Sequence, residues 1–170
     1  MRYALFTSPE SFVDEIDLIE RLFDCGVDVL YVQKPYLGDL ALERYLLSIP
    51  EAIRANSFLC GSPSFAAEFG LAGFHRPLKW FEKNADAVTR VSGLLSVEAD
   101  CREDLKLLPP EIRSRFSAVV LKNVAPGYEE SEYFVCDALE LSNVPGNRAI
   151  VSGIWEFADP VSAWKRLCQK

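Results

Sequence analysis

Val27-Asp28-Val29-Leu30-Tyr31-Val32 is the stretch on which the fold turns. It is short, β-branched and apolar, so it reads as a strand covered on both faces and not as a helix. On its N-terminal side, Phe12, Ile16, Ile19 and Phe23 recur at helical spacing between a predicted N-cap at Ser11 and the stop at Gly26. Before that helix, Tyr3-Ala4-Leu5-Phe6 is a second short apolar run, predicted as the first strand. On the other side, Gly38-Asp39 opens a helix with Leu40, Leu42, Leu46 and Leu47 on its apolar side, interrupted by Pro50. Phe58-Leu59-Cys60 is the third strand, Ser62-Pro63 starts a helix that Gly70 closes, and Ala72-Gly73-Phe74 is the fourth strand. Successive strands start about 25, 30 and 14 residues apart, the cadence of a parallel βα sheet.

The second half continues this cadence less regularly. Arg90 to Leu95 is predicted as strand five, Val97 to Leu108 as a charged helix and Ser117 to Leu121 as strand six. A turn-rich loop, Lys122 to Gly127, leads to a Glu- and aromatic-rich segment reaching Leu141 that is compatible with a helix. Arg148 to Val151 is the last strand, and Asp159-Pro160 begins a C-terminal helix whose Val161, Trp164 and Leu167 face inward. About seven strands, each followed by a helix or loop, point to one (β/α) barrel domain spanning residues 1–170. No Gly-x-Gly-x-x-Gly follows the first strand, which removes the usual support for a dinucleotide-binding sheet. A full (β/α)8 barrel takes about 250 residues and seldom fewer than 200. At 170 residues, this TIM-barrel-like α/β fold must be shortened or incomplete. A gap in the wall between Tyr128 and Arg148 would leave a surface for a second copy of the chain, so a homodimer is expected.

Composition bounds the function. Apolar residues make up 49 % and charged residues 25 %, which excludes disordered, collagen-like and coiled-coil classes. Eighteen Lys and Arg against 25 Asp and Glu leave a formal charge of −7 with the basic residues scattered, the opposite of a nucleic-acid binder. No apolar run approaches the roughly 18 residues of a membrane span, and the apolar residues after Arg2 are too few for a secretory core. Cys25, Cys60, Cys101, Cys136 and Cys168 are odd in number, lack CxxC spacing and lie in apolar or amphipathic stretches, so they are predicted to be reduced core thiols of a cytoplasmic protein.

Three segments, in order, carry a resemblance to a known family. They are Leu30-Tyr31-Val32-Gln33-Lys34-Pro35; Phe65 through Gly70-Leu71-Ala72-Gly73-Phe74-His75; and Val151-Ser152-Gly153-Ile154 followed by Asp159-Pro160. Together they resemble the thiamine phosphate synthase and TenI family of (β/α)8 barrels, the second segment most specifically, which would make the chain a divergent, shortened member. The resemblance implies that Lys34 leaves the second strand toward a pyrophosphate, that His75 ends the fourth strand, and that the backbone amides of Ser152 and Gly153 hold a phosphate. It also implies Mg²⁺, held by Asp residues after strands three and four. Here those positions read Cys60-Gly61 and Arg76-Pro77-Leu78, without a carboxylate, so no metal cofactor is expected. The threonines of the family's sixth loop are absent from Lys122-Asn123-Val124-Ala125-Pro126-Gly127, and the Gly-Gly loop of its seventh strand is missing.

Within that frame the candidate catalytic residues are His75 and Lys34, and the candidate ligand-binding residues are Gln33, Arg76, Lys122, Ser152 and Gly153. His75 is the only histidine and hence the only imidazole proton carrier. The competing reading is a strand-end histidine packed against Trp80, as Lys34 competes with a solvated loop lysine. Arg148 could add charge to the same anionic pocket. Glu98, Asp100, Glu103 and Asp104 lie beside Arg102 and Lys106 at helical spacing and read as a solvated face. Three function classes follow: an enzyme of thiamine biosynthesis, either a transferase (the synthase) or a TenI-like thiazole tautomerase; a catalytically degenerate barrel that binds a small phosphorylated ligand of thiazole or pyrimidine type; or an interaction protein that keeps the fold. No nucleic acid or membrane partner is expected.

Overall fold

The computed structural model describes residues 1–123, 127, 129–138 and 146–168. Eight parallel strands close into a barrel in chain order, and β8 returns to pair with β1. They are β1 (Tyr3–Phe6), β2 (Val29–Val32), β3 (Ser57–Leu59), β4 (Gly73–Pro77), β5 (Leu94–Ala99), β6 (Phe116–Leu121), β7 (Glu132–Asp137) and β8 (Asn147–Ser152). The helices outside are α1 (Glu15–Asp24), α2 (Asp39–Ser48), α3 (Glu51–Arg54), α4 (Pro63–Glu68), α5 (Leu78–Lys83), α6 (Ala85–Val88), α7 (Pro110–Arg113) and α8 (Pro160–Cys168).

The barrel fits into this length because the helices, not the strands, are trimmed. α3, α6 and α7 have four residues each and α4 and α5 have six. A 3-10 turn, Arg102–Leu107, stands where a longer helix was predicted over 97–108. Strand five begins at Leu94 rather than Arg90 and continues through Ala99, so Val97, Glu98 and Ala99 belong to the sheet. The segment read as compatible with a helix contains β7, which fills the interval where a gap was expected. With the wall closed, the reason given for a second subunit falls away. The expectations for residues 124–126, 128 and 139–145 lie outside the described residues.

Strand alternation sorts the side chains into two layers. Leu5, Leu30, Phe74, Val97 and Ile150 face the helices and form the larger core with Ile19, Leu22, Phe81 and Trp164. Ala4, Phe6, Val29, Tyr31, Phe58, Val120 and Tyr133 fill the barrel interior. There Phe6, Tyr31 and Phe58 stack, with ring centroids 4.5 and 5.5 Å apart. Asp159 caps α8 as predicted, accepting from the Ser162 amide at 3.0 Å and the Ser162 hydroxyl at 2.6 Å. α1 departs from its predicted start: its N-cap is Asp14, in the left-handed region at φ 63°, and not Ser11. Among the described residues, no helix is long and apolar enough to cross a membrane.

Candidate active site at the barrel mouth

In a parallel barrel every residue that ends a strand meets the others on one rim, whatever their separation in sequence. On that rim β1 to β5 enclose a cavity of about 180 Å³ lined by Phe6, Gln33, Cys60, His75, Arg76, Pro77 and Glu98. A second cavity of about 350 Å³ shares Pro77 and Glu98 with it and extends past Lys79, Asp100 and Lys122.

A chain of polar side chains rises from the barrel interior to this mouth. Tyr31 Oη lies 2.9 Å from Ser96 Oγ, and Ser96 Oγ lies 2.9 Å from His75 Nδ1. His75 Nε2 faces Glu98 Oε2 at 3.9 Å, and Lys122 Nζ sits 3.1 Å from Glu98 Oε1 and 3.2 Å from Asp100 Oδ1. The ionised Glu98 only accepts, which directs the Nε2 proton of His75 toward it. Nδ1 then accepts from the Ser96 hydroxyl, and Ser96 accepts from the Tyr31 hydroxyl. Burial pushes the Tyr31 phenol up, so it stays a donor.

Each ionisable group at the mouth is set by its neighbours. Burial among Phe6 and Tyr31 lowers the His75 pKa below its ordinary 6.5, and Glu98 opposes this in part. The His75 ring beside Glu98, helped by the Lys122 ammonium and opposed by partial burial, holds that carboxyl down at about 2. Glu98, then Asp100, raise the Lys122 pKa. Burial raises the Cys60 thiol, which is therefore no thiolate nucleophile at neutral pH.

The structure brings only some of the sequence candidates together. Gln33, His75 and Arg76 line one cavity, and Lys122 reaches it through Glu98. The Arg76 guanidinium also lies over the Trp80 ring at 5.6 Å. Lys34 is not part of this group. Its ammonium is buried and donates to the carbonyls of Ser8 at 2.7 Å and Glu10 at 3.0 Å, and to the Glu15 carboxylate at 2.7 Å. Alternation explains the difference, because Gln33 points into the barrel and Lys34 points outward toward α1. Arg148 sits near the N-terminal end of β8, packed over Tyr3 at 5.9 Å, away from the mouth. Ser152 and Gly153 do lie on the rim, but the group against them is a carboxylate: Ser152 Oγ donates to Asp137 Oδ2 at 2.8 Å.

Ser96 and Tyr31 are not singled out by the sequence reading, and Glu98, read there as part of a solvated helical face, is instead a half-buried residue of β5 facing His75. Leu94-Leu95-Ser96-Val97-Glu98-Ala99 carried the signal, since Ser96 and Glu98 alternate with apolar residues at the period of a strand.

The donor set does not fit Mg²⁺. The ends of β3 and β4 offer a thiol at Cys60 and a guanidinium at Arg76, whereas a hard cation requires carboxylate and carbonyl oxygens. The two carboxylates on the adjoining rim, Glu98 and Asp100, share the ammonium of Lys122. Among the described residues, no cluster of three or more His, Cys, Asp or Glu side chains is arranged to hold a metal.

No family model matches the chain, and no curated protein matches it in sequence. Solved structures match its fold along nearly its whole length. Thiamine phosphate pyrophosphorylase from Bacteroides thetaiotaomicron superposes with a TM-score of 0.76 at 19 % identity, covering 99 % of this chain and 96 % of that one. Thiamine phosphate pyrophosphorylase from Pyrococcus furiosus gives a TM-score of 0.68 at 10 % identity, over 99 % and 94 % of the two chains. The fold is that of a thiamine phosphate synthase-like (β/α)8 barrel.

Proposed function

We propose that this thiamine phosphate synthase-like barrel binds a small phosphorylated heteroaromatic, of the thiazole type, at its mouth and moves a proton on it without a metal. The observation that carries the reading is the ionised Glu98 facing the His75 Nε2–H across 3.9 Å in a cavity large enough for one ring. The ring would lie near Phe6 and Gln33, with its phosphate toward Lys122 and Arg76. Glu98 would accept a proton from one carbon of the heterocycle as the C–H electron pair enters the π system. His75 Nε2–H would hydrogen-bond the heteroatom that gains this density. The same proton returned to a second carbon completes an isomerisation, leaving atoms and electrons unchanged overall. The resemblance to the thiamine phosphate synthase and TenI family supports this reading, since its tautomerase members need a proton shuttle and no metal. The donor set argues against the synthase side, whose departing pyrophosphate requires Mg²⁺. All five cysteines are free thiols, which supports a reducing, cytoplasmic setting.

A second reading, binding without turnover, is favoured by one fact: a carboxyl held at about 2 is a weak base. Proton NMR of thiazole phosphate in D₂O separates the two. Enzyme-dependent loss of a ring-carbon proton signal, abolished in Glu98→Gln and slowed in His75→Ala, supports proton transfer. Calorimetric binding without exchange leaves the binding reading. Absence of binding removes both.

A further inference from the structure

The phosphate of a (β/α)8 ligand is frequently held by the loops after β7 and β8. In this chain that place already carries a negative charge. The pairing of β7 with β8 shifts register between Cys136 and Asp137: Cys136 pairs with Ile150, but Asp137 pairs with Ser152. Such an irregularity re-aims the side chain at the end of the strand. Asp137 is brought beside the turn, where its carboxylate accepts the Ser152 hydroxyl at 2.8 Å. It also lies flat against Gly153, which adopts φ 81°. The backbone conformation favours glycine here, and the carboxylate lies so close that a Cβ at residue 153 would come within 2.6 Å of Asp137 Oδ1 and 2.7 Å of Oδ2. The hydroxyl and backbone surface that would meet an anion at this turn therefore meet Asp137.

We infer that Asp137 is a specificity-determining residue that closes the turn after β8 to phosphate. The inference rests on the reading that the mouth takes a phosphorylated ligand, and it adds which ligands qualify. The ligand carries a single anionic group on the β4 to β6 side, beside Arg76 and Lys122. Its other end, which lies on the side of the β8 turn, is neutral or cationic. A ligand phosphorylated at both ends is rejected, because its second phosphate would be forced against a carboxylate.

Isothermal titration of inorganic phosphate and of thiazole phosphate into wild type and Asp137→Asn tests this. The near-isosteric amide keeps an acceptor for Ser152 and removes the charge. Inorganic phosphate is expected to bind Asp137→Asn at least tenfold more tightly than wild type, while the thiazole phosphate affinity stays within about twofold. Equal phosphate affinity in the two proteins overturns the inference. So does a matching tenfold gain for thiazole phosphate, which would mean that its phosphate lies at the β8 turn. Thermal melting checks folding, and if the amide variant does not fold, Asp137→Ser carries the same comparison. Phosphate judges the turn and thiazole phosphate judges the mouth, so a barrel that gains phosphate affinity on Asp137→Asn yet never binds thiazole phosphate refutes the functional reading alone.

Discussion

Lys34 Nζ lies 2.7 Å from both carboxylate oxygens of Glu15, and the pair is sealed between the end of β2 and the first turn of α1. Two carbonyls of the β1 to α1 loop, those of Ser8 and Glu10, complete the ammonium's partners, and the Tyr45 ring covers it at 4.7 Å. The lysine thus fastens that loop to the barrel from outside. Burial raises the Glu15 pKa and lowers that of Lys34, so each is pushed toward its neutral form and the pair is held ionised by its own attraction.

Removing one partner is therefore worse than removing both. Lys34→Met leaves a buried carboxylate without its cation and is expected to reduce stability by about 3–5 kcal/mol. Glu15→Leu with Lys34→Met together should restore stability to near the wild-type value, because apolar replacements of similar volume spare both charges their desolvation. Urea unfolding of the four members of this cycle measures it. A double variant as unstable as Lys34→Met would show that the loop carbonyls, and not Glu15, are what the ammonium holds.

His75 is the one histidine of the chain, so its ring signals are unambiguous. Its folded pKa lies below 6.5 because burial disfavours the cation. Between that folded value and 6.5 the unfolded chain binds more protons than the folded one. Stability due to this group is thus complete above 6.5 and is lost as pH falls through the window below it. Proton–nitrogen NMR of the imidazole should show a neutral ring at pH 6.5, with the proton on Nε2. A protonated ring at that pH, or a proton on Nδ1, would contradict the orientation given by Ser96 and Glu98.

Glu98 titrates with the opposite sign. Its folded pKa, about 2 against an ordinary 4.5, means that its contribution is present above 4.5 and disappears as pH drops toward 2. The Lys122 ammonium accounts for part of that depression. Lys122→Met is expected to raise the Glu98 pKa toward 4.5 while His75 keeps it from arriving there. Carboxyl carbon chemical shifts followed through an acid titration report the value directly. An unchanged Glu98 titration in Lys122→Met would show that the ammonium contact contributes nothing in solution.

The first half of the barrel was legible because its strands are short uniform apolar runs, as with Val29 to Val32, although the apolar side expected for α2 was not: Leu46 is buried, whereas Leu40 and Leu47 are exposed. The second half was not, for two physical reasons. β5 alternates polar and apolar residues because Ser96 and Glu98 face the polar mouth, so part of it reads as a charged helix. β7 opens with a buried glutamate, Glu132, that pairs with Arg102, and a charged strand end hides a strand among acidic residues. The site was legible in the same measure. His75, Gln33 and Arg76 follow clear strands and do share a cavity, whereas the direction taken by Lys34 depends on a pleat that sequence position alone did not resolve.

At Gly73, β4 and β5 leave no room for a side chain. Gly73 begins β4 directly opposite Leu94 of β5, and a Cβ there would sit 2.6 Å from the Leu94 carbonyl carbon and 2.9 Å from its nitrogen. These are backbone atoms and cannot swing aside as a side chain would. Gly73→Ala must therefore spread β4 from β5, the two strands that carry His75, Ser96 and Glu98. Overpacking of this kind typically costs 1–3 kcal/mol, and more where backbone must move, so a loss of about 3 kcal/mol or more is expected. If the variant still folds, the His75 to Glu98 separation should widen and the Glu98 carboxyl, relieved of its neighbour, should titrate higher than in wild type. Urea denaturation measures the first effect and carboxyl NMR the second. A folded Gly73→Ala with wild-type stability and an unshifted Glu98 would mean that β4 and β5 are not held as closely as their pairing implies.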